Sequence, residues 1–493
     1  MMTPHSSTRG WMVVLLAVPL QAFGAGTNTL RISVSDAVLM SLEHNPSIRV
    51  QRFQPQIIQT REDAARAVFD PVLSGGISRN RQNGPLRAFQ ASTNSMVETT
   101  RDNTVAQAGL SETLPTGTRI ELGGQTSIDH PVFNNTASRI GLAVTQPLLE
   151  GAGTGANLAV LRQSRIDTQS SVFELRGYTL ALVAEVEKAY WGYVQSREER
   201  KVYLDSVTVA ERQLRETQER IRVGKLARLE SVAAEAELAL RREALIASGT
   251  RLTQARLKLI RLLNPSAPEP WSLIPETLDQ PAPPSATLEE VERHVAAALA
   301  GRPDLNQARL SISRGELELV RTRNGLLPKM DVFMTLGRSG YASSFRDSTE
   351  GEDARGYDVG AGLQVAYPLR NRAAGADYRR AAVSRQQAEE ALTNLCQLAQ
   401  EDVRVAWVMA ETAGTQVEAA RATQTLQERK LEAEQSRFKE GKSTSLLVAQ
   451  AERDLLAAKL STINGMIAVL TTRSDLYQKD GSLLARRKLA VPD

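Results

Sequence analysis

Two stretches of the sequence decide the fold: RIRVGKLARLESVAAEAEL at residues 220–238 and RFKEGKSTSLLVAQAERDL at residues 437–455. In each, a glycine (Gly224 or Gly441) follows one long helical pattern and precedes another. Glycine readily adopts the left-handed conformation that ends a helix. Each stretch therefore predicts the tip of an antiparallel helical hairpin, so that one chain carries two hairpins.

The helices that lead to these tips are predicted to be unusually long. No proline occurs between about residues 157 and 223, or between about 377 and 440. Some 65 helical residues extend roughly 100 Å at 1.5 Å per residue. Apolar residues recur at spacings of three and four, which is typical of coiled-coil packing. The returning helices are predicted to reach about Leu263 and Tyr477. Helices of this length need neighbours beyond a single compact core.

The chain repeats itself. Three pairs of matching segments occur in the same order: Pro303 follows Pro46 by 257 residues, Pro368 follows Pro147 by 221, and Gly441 follows Gly224 by 217. Ordered matches of this kind indicate an internal duplication. The predicted domains are a signal peptide at 1–25, a first repeat at 26–264, a proline-rich linker at 265–286, a second repeat at 287–480 and a C-terminal tail at 481–493.

Strands are predicted before each long helix. Residues 139–149 and 357–369 alternate apolar residues with small or polar ones. This period of two fits a half-buried strand and a membrane-barrel strand equally well. The spacing between matching segments of the two halves drops from 257 to 221 residues. The first half therefore contains about 36 extra residues, which lie between roughly 83 and 137. They include a turn at Pro115-Thr116-Gly117, but whether they add strands to the sheet stays open.

The N-terminus has the pattern of a secretory signal. Arg9 precedes an apolar run at 11–20, and Ala22-Phe23-Gly24 supplies the small residues Ala22 and Gly24 for cleavage. Beyond that run we expect no apolar stretch of the 18 to 20 residues that a membrane-spanning helix needs. The exported chain is therefore expected to be either a soluble periplasmic protein or a β-strand membrane protein.

Catalysis has little support. Cys396 is the only cysteine, and the four histidines (His5, His44, His130 and His294) are scattered along the chain. The sequence has no nucleophile-elbow, nucleotide-loop or zinc-protease motif. We predict no enzyme activity, no cofactor and no metal site. The formal net charge of +4 is spread along the chain, so nucleic-acid binding is not expected. Tyr190 and Trp407 occupy matched repeat positions, where helix packing is the simpler interpretation.

Strand number argues for an oligomer. At least two strands in each half give four per chain, or six if the insertion joins them. Four strands cannot close a membrane barrel, and an open sheet edge is not tolerated in lipid. Three chains of four strands would give twelve strands, with twelve long helices forming a tube below. The alternative is a soluble periplasmic coiled-coil adaptor or scaffold protein.

The ordered motifs resemble TolC-like outer-membrane efflux proteins, also called outer membrane factors. The family's hairpin tip runs R-Y-x-x-G-x-x-S-x-x-D-x-L-x-A-x-x-x-L. In the first half the matching residues are Arg220, Ile221, Gly224, Ala227, Glu230, Val232, Ala234 and Leu238; in the second they are Arg437, Phe438, Gly441, Thr444, Leu447, Ala449, Ala451 and Leu455. The early Asn45-Pro46 and the later Gln146-Pro147-Leu148 also match.

The resemblance implies a mainly α fold with β structure. Long helical hairpins would form a periplasmic α-barrel, joined to a transmembrane β-barrel that three chains share. It implies a homotrimeric exit duct of a tripartite efflux or type I secretion system, with a periplasmic adaptor (membrane fusion) protein and an inner-membrane pump as partners. The transported substrate and the class of pump cannot be read from the sequence.

The resemblance also implies two groups of site residues. The hairpin-tip residues that would contact the adaptor are Arg220, Gly224, Lys225, Arg437, Gly441 and Lys442. The residues at the periplasmic gate are Glu230, Ala233, Leu447 and Gln450. Some family members have two pore-facing aspartates where this chain has Leu447 and Gln450. We therefore expect weaker cation block of the closed pore than in those members.

Overall fold

The computed structural model describes residues 28–86, 97–130, 135–224, 226–282, 287–350 and 356–489. The predicted signal peptide and Lys225 lie outside the described residues. The protein is mostly helical with a sheet. Contacts divide it into two compact units. The hairpin unit comprises the described residues within 1–49, 179–291 and 404–489, and the sheet unit comprises those within 50–178 and 292–403. The repeat boundaries inferred from the sequence remain a prediction.

The elements are numbered in chain order. The strands are β1 (Thr29–Ile32), β2 (Val72–Leu86), β3 (Val97–Thr113), β4 (Arg119–His130), β5 (Asn135–Pro147), β6 (Ile274–Thr277), β7 (Lys329–Ala342) and β8 (Gly356–Ala366). The helices are α1 (Val34–His44), α2 (Pro46–Gln51), α3 (Phe53–Arg66), α4 (Thr154–Asn157), α5 (Ala159–Arg222), α6 (Leu229–Leu263), α7 (Val291–Gly301), α8 (Pro303–Asn324), α9 (Phe345–Glu350), α10 (Arg372–Lys439), α11 (Ser445–Lys479) and α12 (Leu483–Arg486).

The two helical hairpins form where the glycines predict them. Gly224 separates α5 from α6 with a φ of 73°, and Gly441 separates α10 from α11 with a φ of 76°. In the first hairpin Val207 and Ala210 pack against Leu238. In the second, Ala413 and Val417 pack against Val469, with Met466 and Ala468 beside them. These small apolar contacts let the paired helices approach closely, as the coiled-coil spacing requires.

One feature of α11 differs from the expectation about apolar stretches. By length and composition alone, this helix contains an 18-residue stretch apolar enough to cross a membrane, of which 22% is buried. The apolar residues of α11 include Val469, which packs in the hairpin against α10. A hairpin helix that buries one apolar face has the same composition.

A small parallel sheet ties the linker to the N-terminal segment. Strand β1 pairs with β6 inside the proline-rich linker, from Thr29 opposite Ile274 to Ile32 opposite Thr277. The sequence predicted an extended linker here but not this pairing. The hydroxyl of Tyr190 donates to the Asp279 carboxylate over 2.9 Å and lies 3.2 Å from the backbone carbonyl of Ile32. Tyr190 itself is fully buried.

Trp407 makes the matched contact in the second half. Its indole Nε1 donates to the backbone carbonyl of Glu289 over 2.8 Å. Trp407 follows Tyr190 by 217 residues and Glu289 follows Ile32 by 257, which are two of the spacings that relate the matching segments. Both aromatic side chains therefore contact the segment that leads into the first helix of their half, α1 or α7. The sequence did not predict these hydrogen bonds.

The sheet unit contains one antiparallel sheet of six strands in the order β2-β3-β4-β5-β7-β8. Strand β5 of the first half pairs with β7 of the second, for example Leu142 opposite Leu336. The insertion supplies β3 and β4, which answers the question that the sequence left open: the chain has six strands in this sheet and not four. Among the described residues, the outer edges of β2 and β8 have no strand beside them.

One face of this sheet is apolar and exposed. A continuous row of directly paired residues crosses all six strands. It consists of Leu73, Leu110, Leu122, Leu142, Leu336 and Val359, which are between 38% and 81% exposed. The alternate residues point to the opposite face and are mostly glycine or polar, such as Gln107, Gln125 and Thr335. The strands thus have the alternation that the sequence predicted, with the apolar side uncovered.

Candidate functional site

The two hairpin tips lie side by side in the hairpin unit. The Arg220 guanidinium near the end of α5 lies 4.4 Å from the ring centroid of Phe438 near the end of α10. Phe438 is only 9% exposed. A guanidinium over an aromatic face at this distance is an attractive cation–π contact. Arg220, selected from the tip motif, therefore binds the other hairpin in this conformation.

A second contact joins the starts of the returning helices. The hydroxyl of Ser445, at the first residue of α11, donates to the Glu230 carboxylate at the start of α6. Thr444 caps α11 through its hydroxyl, which accepts from the backbone N–H of Leu447. A charge-assisted hydrogen bond of this kind is stronger than a neutral one. The hydrogen bond of Glu230 thus joins the two hairpins at the first turns of α6 and α11.

The second tip has its own polar network. Arg437 and Ser443 both donate to the Glu434 carboxylate, over 2.9 and 2.8 Å. Lys442 pairs with Glu440 over 2.9 Å. Gly441 has the positive φ that its role at the turn requires. Several tip residues therefore hold the turn in shape and remain on its surface.

The four residues of the predicted gate are not alike. Ala233, Leu447 and Gln450 are exposed, whereas Glu230 is half-buried and bonded to Ser445. The exposed apolar side chains around them include Leu229 at 80%, Val232 at 58% and Leu446 at 60%. Of the four gate positions, only Glu230 on the first hairpin is acidic.

Two turns further along, a charged cluster lies between α6 and α11. Arg241 pairs with Glu237 over 2.5 Å. One carboxylate oxygen of Glu452 is buried without a hydrogen-bond partner among the described residues. Burial raises the pKa of Glu452, opposed by the nearby Arg241 and reinforced by the Glu237 charge. This carboxylate is consequently held in a site that disfavours its charged form.

Sequence reasoning missed Ser445 and Glu452 as site residues. Neither lies at a motif position that carries a role, and their importance depends on how the two hairpins pack against each other. The adaptor and gate roles of the selected residues are not tested by this geometry. Within the described part of the chain, no group of three or more His, Cys, Asp or Glu side chains is arranged to hold a metal ion.

Comparison with known proteins identifies the fold and the family. The family model of outer membrane efflux proteins matches residues 38–265 and 295–482. A search of curated proteins found no significant match. The fold is similar to that of the outer-membrane channel OprN, with a TM-score of 0.68. The two sequences are 17% identical, and the structural match covers 91% of this chain and 89% of that chain.

Two further channel structures are similar. The CmeC outer membrane channel of Campylobacter jejuni has 14% identity over 91% of this chain and 86% of its own, with a TM-score of 0.66. The outer membrane protein VceC of Vibrio cholerae has 14% identity over 91% and 96%, also with a TM-score of 0.66. At these identities the likeness shows the fold.

The match spans both halves of the chain and confirms the resemblance seen in the tip motifs. It places the protein in the outer membrane, with a long helical part in the periplasm, rather than among soluble periplasmic adaptors. Proteins of this family are efflux channels and not enzymes. The chain therefore belongs to the outer membrane efflux protein family.

Proposed function

We propose that three copies of this chain form the exit duct of a tripartite efflux or type I secretion system. The duct conducts substrates passively across the outer membrane from an inner-membrane pump and a periplasmic adaptor. The observation that carries this proposal is the six-stranded sheet. It has an exposed apolar face and, in the part of the chain that the structure describes, two edges with no neighbouring strand.

The apolar face has the pattern of strands that cross a bilayer. On β8 the residues of this face run from Tyr357, 83% exposed, through Val359, Leu363 and Val365 to Tyr367, which follows the strand and is 51% exposed. Aromatic residues at both ends of an apolar strand face are typical of the two membrane interfaces. The nine residues between the tyrosines match the roughly 9 to 11 that a tilted membrane strand needs.

The open edges require further copies of the chain. In lipid, the unpaired N–H and C=O groups of an edge strand would cost several kcal/mol each. Pairing β8 of one copy with β2 of the next satisfies both edges and closes a barrel. The same symmetry closes the long helices into a periplasmic tube. In this proposal the two halves are duplicates, which the matched contacts of Tyr190 and Trp407 support.

The hairpin tips are the proposed adaptor-contact surface. The six residues are Arg220, Gly224, Lys225, Arg437, Gly441 and Lys442, four of which are basic. Arg437 and Lys442 are largely exposed, with side-chain exposures of 64% and 73% in their ion pairs. An exposed basic tip favours an acidic surface on the adaptor.

Glu230, Ala233, Leu447 and Gln450 are the proposed periplasmic gate. The bond between Glu230 and Ser445 supports this role because it joins the two hairpins near their tips. In a trimer, three Glu230 side chains give one acidic ring, and the neutral Leu447 and Gln450 add no second one.

The variant Glu230→Gln should show reduced block by multivalent cations, with Glu235→Gln on the same helix as the control. Unchanged block in the Glu230 variant would contradict the assignment.

The function is tested on protein extracted from isolated outer membranes in mild detergent. We expect light scattering to give the mass of three chains after correction for detergent, and planar bilayers to show ion conductance. A monomer recovered from the soluble periplasmic fraction would overturn the proposal. A trimer without conductance in any condition would overturn the duct while leaving the shared barrel.

A further inference from the structure

We propose that the inserted hairpin of β3 and β4 gives this protein an outer-membrane pore of eighteen strands. Such a pore would pass solutes that a twelve-stranded pore excludes. The inference rests on the proposed function, because it takes three copies of the chain to close the barrel.

The inserted hairpin is a structural part of the sheet. Strand β3 pairs with β2 from Val72 opposite Ser111 to Leu86 opposite Val97. Strand β4 pairs with β5 from Arg119 opposite Thr145 to Asp129 opposite Asn135. β3 and β4 therefore separate β2 from β5; among the described strands β2 has no other neighbour, and β5 keeps only β7 on its other side. A chain with this pairing contributes six strands to any barrel it joins.

The turn of the hairpin is anchored to the connection that leads from β5 to α4. The backbone N–H of Gly153 donates to the carbonyl of Thr116 over 3.0 Å, and the Thr118 hydroxyl donates to the Gln146 side chain. Gly117 has a φ of 89°, and a Cβ there would lie only 2.1 Å from the carbonyl oxygen of Gly151. The chain accommodates this approach only with glycine. The hairpin is thereby held in the sheet at its turn end as well as along its strands.

The inserted strands present an apolar segment on the face of the apolar row: Ala106, Ala108 and Leu110 on β3, and Ile120, Leu122 and Ile128 on β4. On β3 this segment ends at Glu112 on one side and before Asp102 on the other. Leu110 and Leu122 continue the apolar row between Leu73 and Leu142. Gln107 and Gln125 lie opposite each other on the polar face. A hairpin that folded into the pore as a plug would not need an exposed apolar face. β3 and β4 are therefore built as membrane strands, with the apolar side towards lipid and the polar side towards the lumen.

Strand number sets the width of a barrel. The diameter grows roughly in proportion to the number of strands at a given tilt. Eighteen strands thus enclose about one and a half times the diameter of twelve and about twice the cross-section. Barrels of 16 to 18 strands leave a water-filled channel. The class of solute that distinguishes the two widths is a bulky polar one, such as a large oligosaccharide or a peptide.

The first test is to count the strands directly by electron microscopy of the full-length protein in detergent. Eighteen strands in a trimer support the inference. Twelve strands in a trimer, with β3 and β4 outside the wall, would overturn it and leave the proposed duct intact. A monomer would overturn both.

The second test measures pore width in planar bilayers. Neutral polyethylene glycols of graded size are added to the barrel side only, and a twelve-stranded channel of the same family is measured alongside. We expect the largest polymer that enters and lowers the conductance to have about one and a half times the radius of the reference. If this protein conducts but excludes polymers at the same size as the twelve-stranded reference, the inference of a wider pore is wrong.

Discussion

At the scale of single residues, Glu452 is a carboxylate whose charged form the fold disfavours. It lies on α11 among charged side chains of both polarities: Arg241, Glu237, Arg212 and Glu216. Glu237 is already paired with Arg241 over 2.5 Å. The positive charge of Arg241 therefore offsets the negative charge of Glu452 only in part. The result is a raised pKa for Glu452, with burial as the largest cause.

This raised pKa predicts a pH dependence of stability. An acid whose pKa is higher in the folded protein stabilises the fold fully below its unfolded value, which is 4.5 for glutamate. That contribution is lost as the pH rises through the folded value. We expect Glu452→Gln to be more stable than wild type at pH 7 and to converge with it towards pH 4. Thermal unfolding in detergent between pH 4 and 8 measures this difference.

The matched control is Glu235→Gln on α6, which removes an exposed carboxylate of the same type. Its stability relative to wild type should change little over this range, as for most surface substitutions. A constant difference between Glu452→Gln and wild type from pH 4 to 8 would contradict the assignment.

At the scale of elements, the long hairpins could be predicted closely from local signals. Helix α5 was expected at about 157–223 and runs from Ala159 to Arg222. Helix α10 was expected at about 377–440 and runs from Arg372 to Lys439. Their ends are set by glycine, by proline and by the limits of the apolar period, all of which act within a few residues.

The elements that escaped prediction depend on distant partners. The four residues of β1 pair with β6, which lies some 245 residues away in a segment dominated by proline. The sheet membership of β3 and β4 depends on β2 and β5 on either side. The contact of Ser445 with Glu230 likewise exists only because two hairpins pack together. No local pattern encodes such pairings.

The anchored turn of the inserted hairpin gives a prediction for one element. Gly117→Ala places a methyl group against the carbonyl of Gly151 in a left-handed backbone conformation, and we expect a loss of about 1–3 kcal/mol. Gly123→Ala, in β4 of the same hairpin, is the control, because its nearest neighbour would be an ordinary 3.7 Å away. Thermal unfolding of the two variants in detergent compares them. Equal stability would show that the turn is not held at this connection.

At the scale of the whole molecule, the two faces of the sheet have opposite requirements. Leu336 and Thr335 are adjacent on β7, yet they point to opposite sides. Leu336 belongs to the exposed apolar row and is 53% exposed. Thr335 lies opposite Gly360 on the polar face. If the apolar face meets lipid, then one residue contacts the hydrocarbon core and the next contacts water inside the pore.

This difference predicts contrasting effects of the same substitution. Leu336→Arg should cost about 2–4 kcal/mol per chain, because it puts a charge near the middle of the hydrocarbon. Thr335→Arg adds the same charge to the polar side and should be tolerated. We expect the Leu336 variant to be depleted from isolated outer membranes and its trimer to dissociate at lower temperature, while the Thr335 variant resembles wild type. If both variants assemble equally well, then the apolar face does not lie in lipid, since a buried charge could not remain without penalty there.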